Sequence, residues 1–240
     1  EVGQVVIAKN MSIVGADKAT TIIRPDADYT NWFLVNEGVT FNFSKVTLDG
    51  EGKLVRAALR TRGSGSITDC VFEDMFNSTY LGWGIAIDYA YPNQVWSITN
   101  NTFRNIERVG ILVDGQNNQA TVSGNTFIGK GVGDWVNYGV EVGDGAHATI
   151  SGNSFTAYQG IASTDGSDSA GVMMSSLFGP NPLATITNNT FTNNSHGILL
   201  GYLAADTSTA TATGNTFTGN PVDISAVNAG IMNMANALAN

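Results

Sequence analysis

The stretch Ala120-Thr-Val-Ser-Gly-Asn-Thr-Phe127 returns as Ala148-Thr-Ile-Ser-Gly-Asn-Ser-Phe155, Ala184-Thr-Ile-Thr-Asn-Asn-Thr-Phe191 and Ala210-Thr-Ala-Thr-Gly-Asn-Thr-Phe217. Weaker copies run over Trp96–Phe103, Gly65–Phe72 and Phe41–Leu48. The copies start 24 to 36 residues apart, a period that marks a solenoid. The third position is apolar in every copy, as in Val122, Ile150 and Ile186, and the eighth is Phe or Leu. The second and fourth are nearly all Ser or Thr. Apolar residues flanked by hydroxyls at period two predict a strand with one buried face, whereas a helix would need apolar steps of three and four. The sixth position is Asn in five copies, with Val46 and Cys70 in the other two. An Asn column can satisfy itself by donating from coil to coil, so Val46 and Cys70 read as interior fillers of that column.

A second strand precedes each octamer: Gly84-Ile-Ala-Ile-Asp88, Gly110-Ile-Leu-Val-Asp114, Gly139-Val-Glu-Val142, Gly171-Val-Met-Met174 and Gly197-Ile-Leu-Leu200, with Ala57–Arg60 in the same slot. Asp-Gly pairs beginning at Asp49, Asp114, Asp144 and Asp165 supply turns. Each coil is thus expected to run strand, turn, strand, turn, with successive coils about 4.8 Å apart.

An octamer with an Asn turn and an inward Phe resembles the right-handed parallel β-helix of the pectate-lyase-like superfamily, above all its short-repeat surface and periplasmic members. The resemblance covers about Val5 to Asn228. It implies an all-β, single-stranded solenoid of about eight to nine coils over residues 1–240. The Ala-rich segment 226–240 is expected to form a short helical cap or an assembly contact, with Val227, Ile231, Met234 and Leu238 on one face. Members of the superfamily cleave, epimerise or bind polysaccharides, or only build surfaces and fibres, so the fold does not fix the activity.

Composition narrows the field. The net charge is −9, from 20 acidic and 11 basic residues, which argues against nucleic acid as partner. Ten of the basic residues lie before residue 109 and the last is Lys130, so an anionic polysaccharide would bind the N-terminal half. There is no run of eighteen apolar residues and no basic-then-apolar leader, and Glu1–Ile7 already reads as strand, as in a mature or trimmed product. One cysteine excludes an internal disulfide framework. The Asn- and Thr-rich, Lys-poor composition suggests an extracellular or cell-surface location on a prokaryote. Sequons at Asn10, Asn42, Asn77, Asn100, Asn188 and Asn193 are no more frequent than this composition produces, and glycosylation stays open.

The second strand offers the candidate site. With Ile85 and Ile87 inward, the outward residues form a ladder of Arg60, Asp88 and Asp114, with Glu141 one column over. Trp83, Tyr89 and Tyr138 flank it as rings on which a sugar could stack, and Arg56, Arg62 and Arg108 lie near. Carboxylates one coil apart would sit near 5 Å, the spacing of a retaining glycosidase pair. In the resembled superfamily, lyases use Arg or Lys as base and acidic residues to hold calcium; Arg60 or Arg62 with Asp88 and Asp114 match this by residue type only. Long loops between coils are expected to be scarce. His147 and His196 fall on different sides of a coil, and no Cys/His cluster suggests zinc. Asp165 and Asp168 are weak calcium candidates in a loop that otherwise reads as solvated. No other cofactor is expected. Gly129-Lys-Gly-Val-Gly133 lacks the spacing of a phosphate loop.

Three functions stay open. The first is a non-catalytic extracellular scaffold or adhesive module whose partner is itself, end to end; the regular coils and the absence of a catalytic signature favour it. The second is a polysaccharide lyase or glycoside hydrolase working at Arg60, Asp88 and Asp114. The third is ice binding by the Thr/Ser columns, such as Thr121/Ser123 and Thr149/Ser151.

Overall fold

The computed structural model describes residues 1–78 and 80–226, with the backbone of Met232–Asn233. It is a parallel β-solenoid of about eight turns built from three sheets. Sheet 1 contains Val5–Ile7, Tyr29–Val35, Val55–Thr61, Trp83–Ile87, Val109–Val113, Tyr138–Gly143, Ala170–Ser175, His196–Leu200 and Val222–Ala226, each hydrogen-bonded to the next. Sheet 2 runs from Met11–Val14 through Val95–Thr99, Gln119–Ser123 and His147–Ser151 to Met232–Asn233. Sheet 3 runs from Ile22–Ile23 through Thr102–Ile106, Thr126–Gly131 and Ser154–Tyr158 to Thr216–Thr218. Among the described residues there is no helix. The expected cap over 226–240 lies almost wholly outside the described residues; of those described, Ala226 ends the last sheet 1 strand and Met232–Asn233 pairs as a strand with Ala210–Thr211.

Each coil has three strands, not the two expected from the sequence, because the octamer is two strands meeting at a corner. Gln119–Ser123 belongs to sheet 2 and Thr126–Gly131 to sheet 3. The corner is the fifth octamer position, where the backbone is left-handed in all seven copies: Lys45 (φ 57°), Asp69 (55°), Asn100 (57°), Gly124 (65°), Gly152 (64°), Asn188 (56°) and Gly214 (64°). Gly and Asn enter that region at least cost. The corner resets the in/out alternation, so the inward positions are the first, third, sixth and eighth. That step of three between Ile150 and Asn153 breaks the strict period of a single strand.

The corner Asn column satisfies itself as expected. Asn153 Nδ2 donates to Val122 O (2.9 Å) and Asn189 Oδ1 (2.9 Å), while its own Oδ1 accepts from the backbone N (2.9 Å) and Nδ2 (3.0 Å) of Asn125. Asn101, Asn125, Asn189 and Asn215 continue the chain of bonds. Val46 and Cys70 fill the same column, fully buried, and burial pushes the Cys70 thiol up to about 11. A second ladder, Asn194 and Asn220, occupies the corner after sheet 3.

Inside, Phe72, Phe103, Phe127, Phe155, Phe191 and Phe217 stack with ring centroids 4.7–5.1 Å apart and planes within 10°. The stack explains why a glycine follows the first residue in five of the nine sheet 1 strands. A Cβ on Gly139 would stand 2.6 Å from Phe155 Cδ1 and 2.6 Å from Gly171 O, and Gly84, Gly110, Gly171 and Gly197 meet the same obstruction. Gly139→Ala should therefore destabilise the solenoid by about 3 kcal/mol, read as a lower urea midpoint, because a backbone carbonyl and a packed ring must both move.

Candidate functional site

The outward face of sheet 1 is flanked by the chain segments that leave the coil. On one side are residues 76–78, 80–82, 132–137 and 159–169; on the other are 88–94, 114–118, 176–182 and 201–208. Long excursions are thus not scarce: they gather around one face and wall it into a groove. Beneath them Val109, Val136, Tyr138, Ala170 and Met173 form a small second apolar cluster, separate from the core.

The register corrects the expected ladder. Arg60, Ala86, Leu112, Glu141 and Met173 form one column. Asp88 and Asp114 stand two residues further along, just past their strands. Arg60 therefore shares a column with Glu141 and reaches Asp88 diagonally, through a fork of Nε to Oδ2 and Nη2 to Oδ1, both 2.9 Å. Arg62 Nε adds a third bond at 3.2 Å. Burial alone would raise the Asp88 carboxyl; the hydrogen bonds and charge of Arg60, the Ala90 amide and Arg62 outweigh it and hold Asp88 below the usual carboxylate range. Below it, Gln94 Nε2 and Asn118 Nδ2 tie down the turn carbonyls of Asp88 and Asp114.

Asp114 has the opposite environment. Its Oδ1 is buried and finds no hydrogen-bond partner among the described residues. Burial first, then the charges of Asp144, Glu141 and Asp88, push its carboxyl up to about 7. Glu141 is also raised, by its enclosure in the groove, with Arg108 opposing. The two aspartates lean apart: Asp88 turns back to Arg60 and Arg62, whereas Asp114 Oδ1 lies 3.0 Å from where a Cβ on Gly143 would stand. Coil spacing therefore does not measure the distance between the carboxyls, and the expected retaining-pair spacing does not follow from it.

Asp88, Asp114 and Glu141 line one hollow of about 500 Å³ with Arg56, Trp83 and Tyr89. Arg56 lies over the Trp83 ring, 4.6 Å from its centroid, and Tyr89 is 60% exposed on the rim. Tyr138, expected beside them as a sugar platform, is instead buried to 4% beneath the Arg108 guanidinium, 5.1 Å away. Arg62 stacks over Tyr91 (4.9 Å) rather than facing the hollow. Sequence reasoning missed Asp144 and Phe178 in this lining. For Phe178 the available signal was the uneven octamer spacing, longest between Ala148 and Ala184, where an extra loop must leave the coil; Asp144 was visible only as an Asp-Gly turn one coil after Asp114.

The calcium candidates do not converge. Asp165 Oδ1 accepts from Ser167 N (2.9 Å), while Asp168 Oδ2 meets His196 Nε2 (3.1 Å). No three His, Cys, Asp or Glu side chains gather into a metal-holding group among the described residues. His147 lies on sheet 2, whereas His196 begins a sheet 1 strand.

A three-sheet parallel solenoid carrying a carboxylate groove on one outer face defines the class. The family described as right-handed beta helix region matches residues 58–238, and the chain belongs to it, as the octamers imply. No curated protein matches the chain. No helix among the described residues is long and apolar enough to cross a membrane.

Proposed function

We propose that the chain is a glycoside hydrolase that binds a saccharide along the outer face of sheet 1, with Asp114 as proton donor. The observation that carries this reading is the split between two neighbouring carboxyls. Asp114 keeps its proton near neutrality while Asp88 stays ionised, in a hollow edged by Trp83 and Tyr89. Such a split is how one site holds an acid and a carboxylate together. Asp114 delivers its proton to the glycosidic oxygen as the bond to the anomeric carbon breaks. Water adds at that carbon and passes its proton to Asp144, the carboxylate whose charge Asp114 feels most. Hydrolysis is favoured over lyase chemistry because Arg60 and Arg62 are both bound to Asp88, so neither is free to act as a base. Apart from catalysis, Trp83→Ala should weaken saccharide binding about tenfold in calorimetry, through the lost stacking surface and the freed Arg56.

The test is a screen of plant, algal and bacterial polysaccharides for new reducing ends, with Asp114→Asn as control. Release by the wild type and not by the variant supports the reading; no release and no binding with any glycan overturns it. In that case the scaffold reading takes its place: an extracellular or cell-surface module assembling end to end. Its support is the regularity of the Asn, Phe and hydroxyl ladders. Negative-stain microscopy across concentration would then show filaments repeating at one solenoid length. Ice binding is the poorer candidate. The column Ser97, Thr121, Thr149, Thr185, Thr211 is in register, but beside it Val95, Gln119, His147 and Leu183 edge a hollow of about 160 Å³, which a flat lattice would not fill.

A further inference from the structure

A second hollow of about 410 Å³ adjoins the first and shares Arg108, Glu141, Ser175 and Phe178 with it. Its lining differs in kind. Three rings open to solvent stand around it, Tyr80 (72% exposed), Phe178 (76%) and Tyr202 (43%), each brought by a different segment of chain. Trp135 also lines it, but that ring is committed to a cation of the protein. Lys130 Nζ is held over Trp135 (4.4 Å to the centroid) and Phe76 (5.9 Å), and Lys130 itself is outside the lining.

The charges around the rings are nearly all of one sign. Glu107, Asp134, Glu141 and Asp165 line the hollow, against Arg108 as the one cation among the described residues of the lining. Arg108 is already engaged: it lies over Tyr138 and donates to Val136 O. A hollow with this balance draws in a positive ligand and repels an anion.

The arrangement of the carboxyls decides which positive ligand. A hard metal ion needs several oxygens converging on one point, and no such group forms among the described residues. A primary ammonium needs an acceptor for each of its three N–H donors. Most of the acceptors here are taken. Asp134 accepts from the amide and the hydroxyl of Ser163 (both 2.7 Å), Asp165 from the Ser167 amide (2.9 Å), and Glu107 Oε2 from the amides of Asn77 and Gly82. The bonds to Asp134 and Asp165 hold both carboxyls below their ordinary range, so both keep their charge. Glu141 is the exception: its carboxyl takes no hydrogen bond or ion pair among the described residues and feels only the opposite charge of Arg108. A quaternary ammonium donates no hydrogen bond. It needs ring faces and a negative field, which is what the hollow offers.

We propose that the second hollow binds a quaternary ammonium group, its methyls among the rings of Tyr80, Phe178 and Tyr202 and its charge facing Asp134, Asp165 and Glu141. The ligand is a free cation rather than a phosphate-ester headgroup, because only the engaged Arg108 could meet a phosphate. The site lies beside the saccharide groove and does not depend on hydrolysis at Asp114.

The experiment is titration calorimetry of the full chain with choline at constant ionic strength. The comparison ligands are dimethylbutanol (its uncharged carbon isostere), methylammonium and phosphocholine. The expected result is saturable binding of choline, with each of the three others at least about tenfold weaker. Tyr202→Ala and Asp134→Asn should each weaken choline about three- to tenfold, while Tyr89→Ala, on the rim of the first hollow, should leave it unchanged. Both altered residues of the second hollow are exposed, so unchanged urea midpoints would show that the fold is intact. Dimethylbutanol binding as tightly as choline overturns recognition of charge, and methylammonium doing so overturns the preference for a quaternary group. Tighter binding of phosphocholine overturns the free cation as ligand. No saturable binding, no effect of both second-hollow variants, or an equal effect of Tyr89→Ala overturns the site. None of these outcomes touches the hydrolase reading, which is judged by reducing ends.

Discussion

Replacing Asp114 by Asn should cut turnover by about a hundred- to ten-thousand-fold, the usual contribution of a positioned general acid, while saccharide binding survives. In the wild type, activity should fall as pH rises through about 7, where Asp114 loses its proton. The same group gives a stability signature. Its folded value is raised above the ordinary 3.8, so the native state binds more protons than the unfolded chain between these two values. Stability is therefore undiminished by Asp114 below about pH 4 and is progressively lost as pH rises to about 7. The full shift corresponds to at most ~4 kcal/mol. Solvent at the groove mouth reduces this to about 2 kcal/mol. Asp114→Asn, which never ionises, should accordingly be more stable than wild type at pH 8 and match it at pH 4, in paired urea titrations. A variant that is no more stable at pH 8 would show that Asp114 is not held protonated, and the proton-donor role would go with it.

Asn153→Ala should be the most damaging small substitution in the solenoid, at about 4 kcal/mol. It strands Val122 O and leaves the amide and side-chain donors of Asn125 facing a cavity, each a buried group whose partner is gone. Asn189 Oδ1 loses its side-chain donor as well. The neighbouring outward Thr149→Ala should stay within about 0.5 kcal/mol, since that hydroxyl faces solvent. Urea midpoints at unchanged m value would establish the size. Amide hydrogen exchange should place the loss at Asn125 and the adjoining coils rather than at the N-terminal coils. Equal destabilisation by both substitutions would contradict the self-satisfying ladder.

Most of the solenoid was legible because its residues repeat for local and ladder reasons that one coil already displays. Third-position Val and Ile, sixth-position Asn and eighth-position Phe each meet their own kind one coil away, so the pattern in the chain is the pattern in space. Cys70 and Val46 could be assigned to the interior on that ground alone. The number of strands per coil was misread because the corner at the fifth position interrupts the alternation, and only the step of three from Ile150 to Asn153 betrays it. The left-handed backbone at Lys45, Asp69 and Gly124 gives the octamer its variability there: the position selects for conformation, not for packing.

The candidate site was legible in its residues and not in its geometry. Asp88, Asp114, Glu141, Trp83 and Tyr89 could be chosen from the chain because they follow or precede a recognisable strand. The sequence by itself determined the stacked coils, the buried columns and the face on which the polar residues of sheet 1 would appear, because coil-to-coil contacts join residues of like kind at a fixed spacing. Only the tertiary structure decided that Asp88 is neutralised by two arginines while Asp114 Oδ1 is left without a hydrogen-bond partner among the described residues, that Tyr138 is covered by Arg108, and that loops from several coils enclose the groove. Those outcomes depend on which way side chains lean across columns and on where irregular segments from distant coils meet, and no periodicity in the chain encodes either.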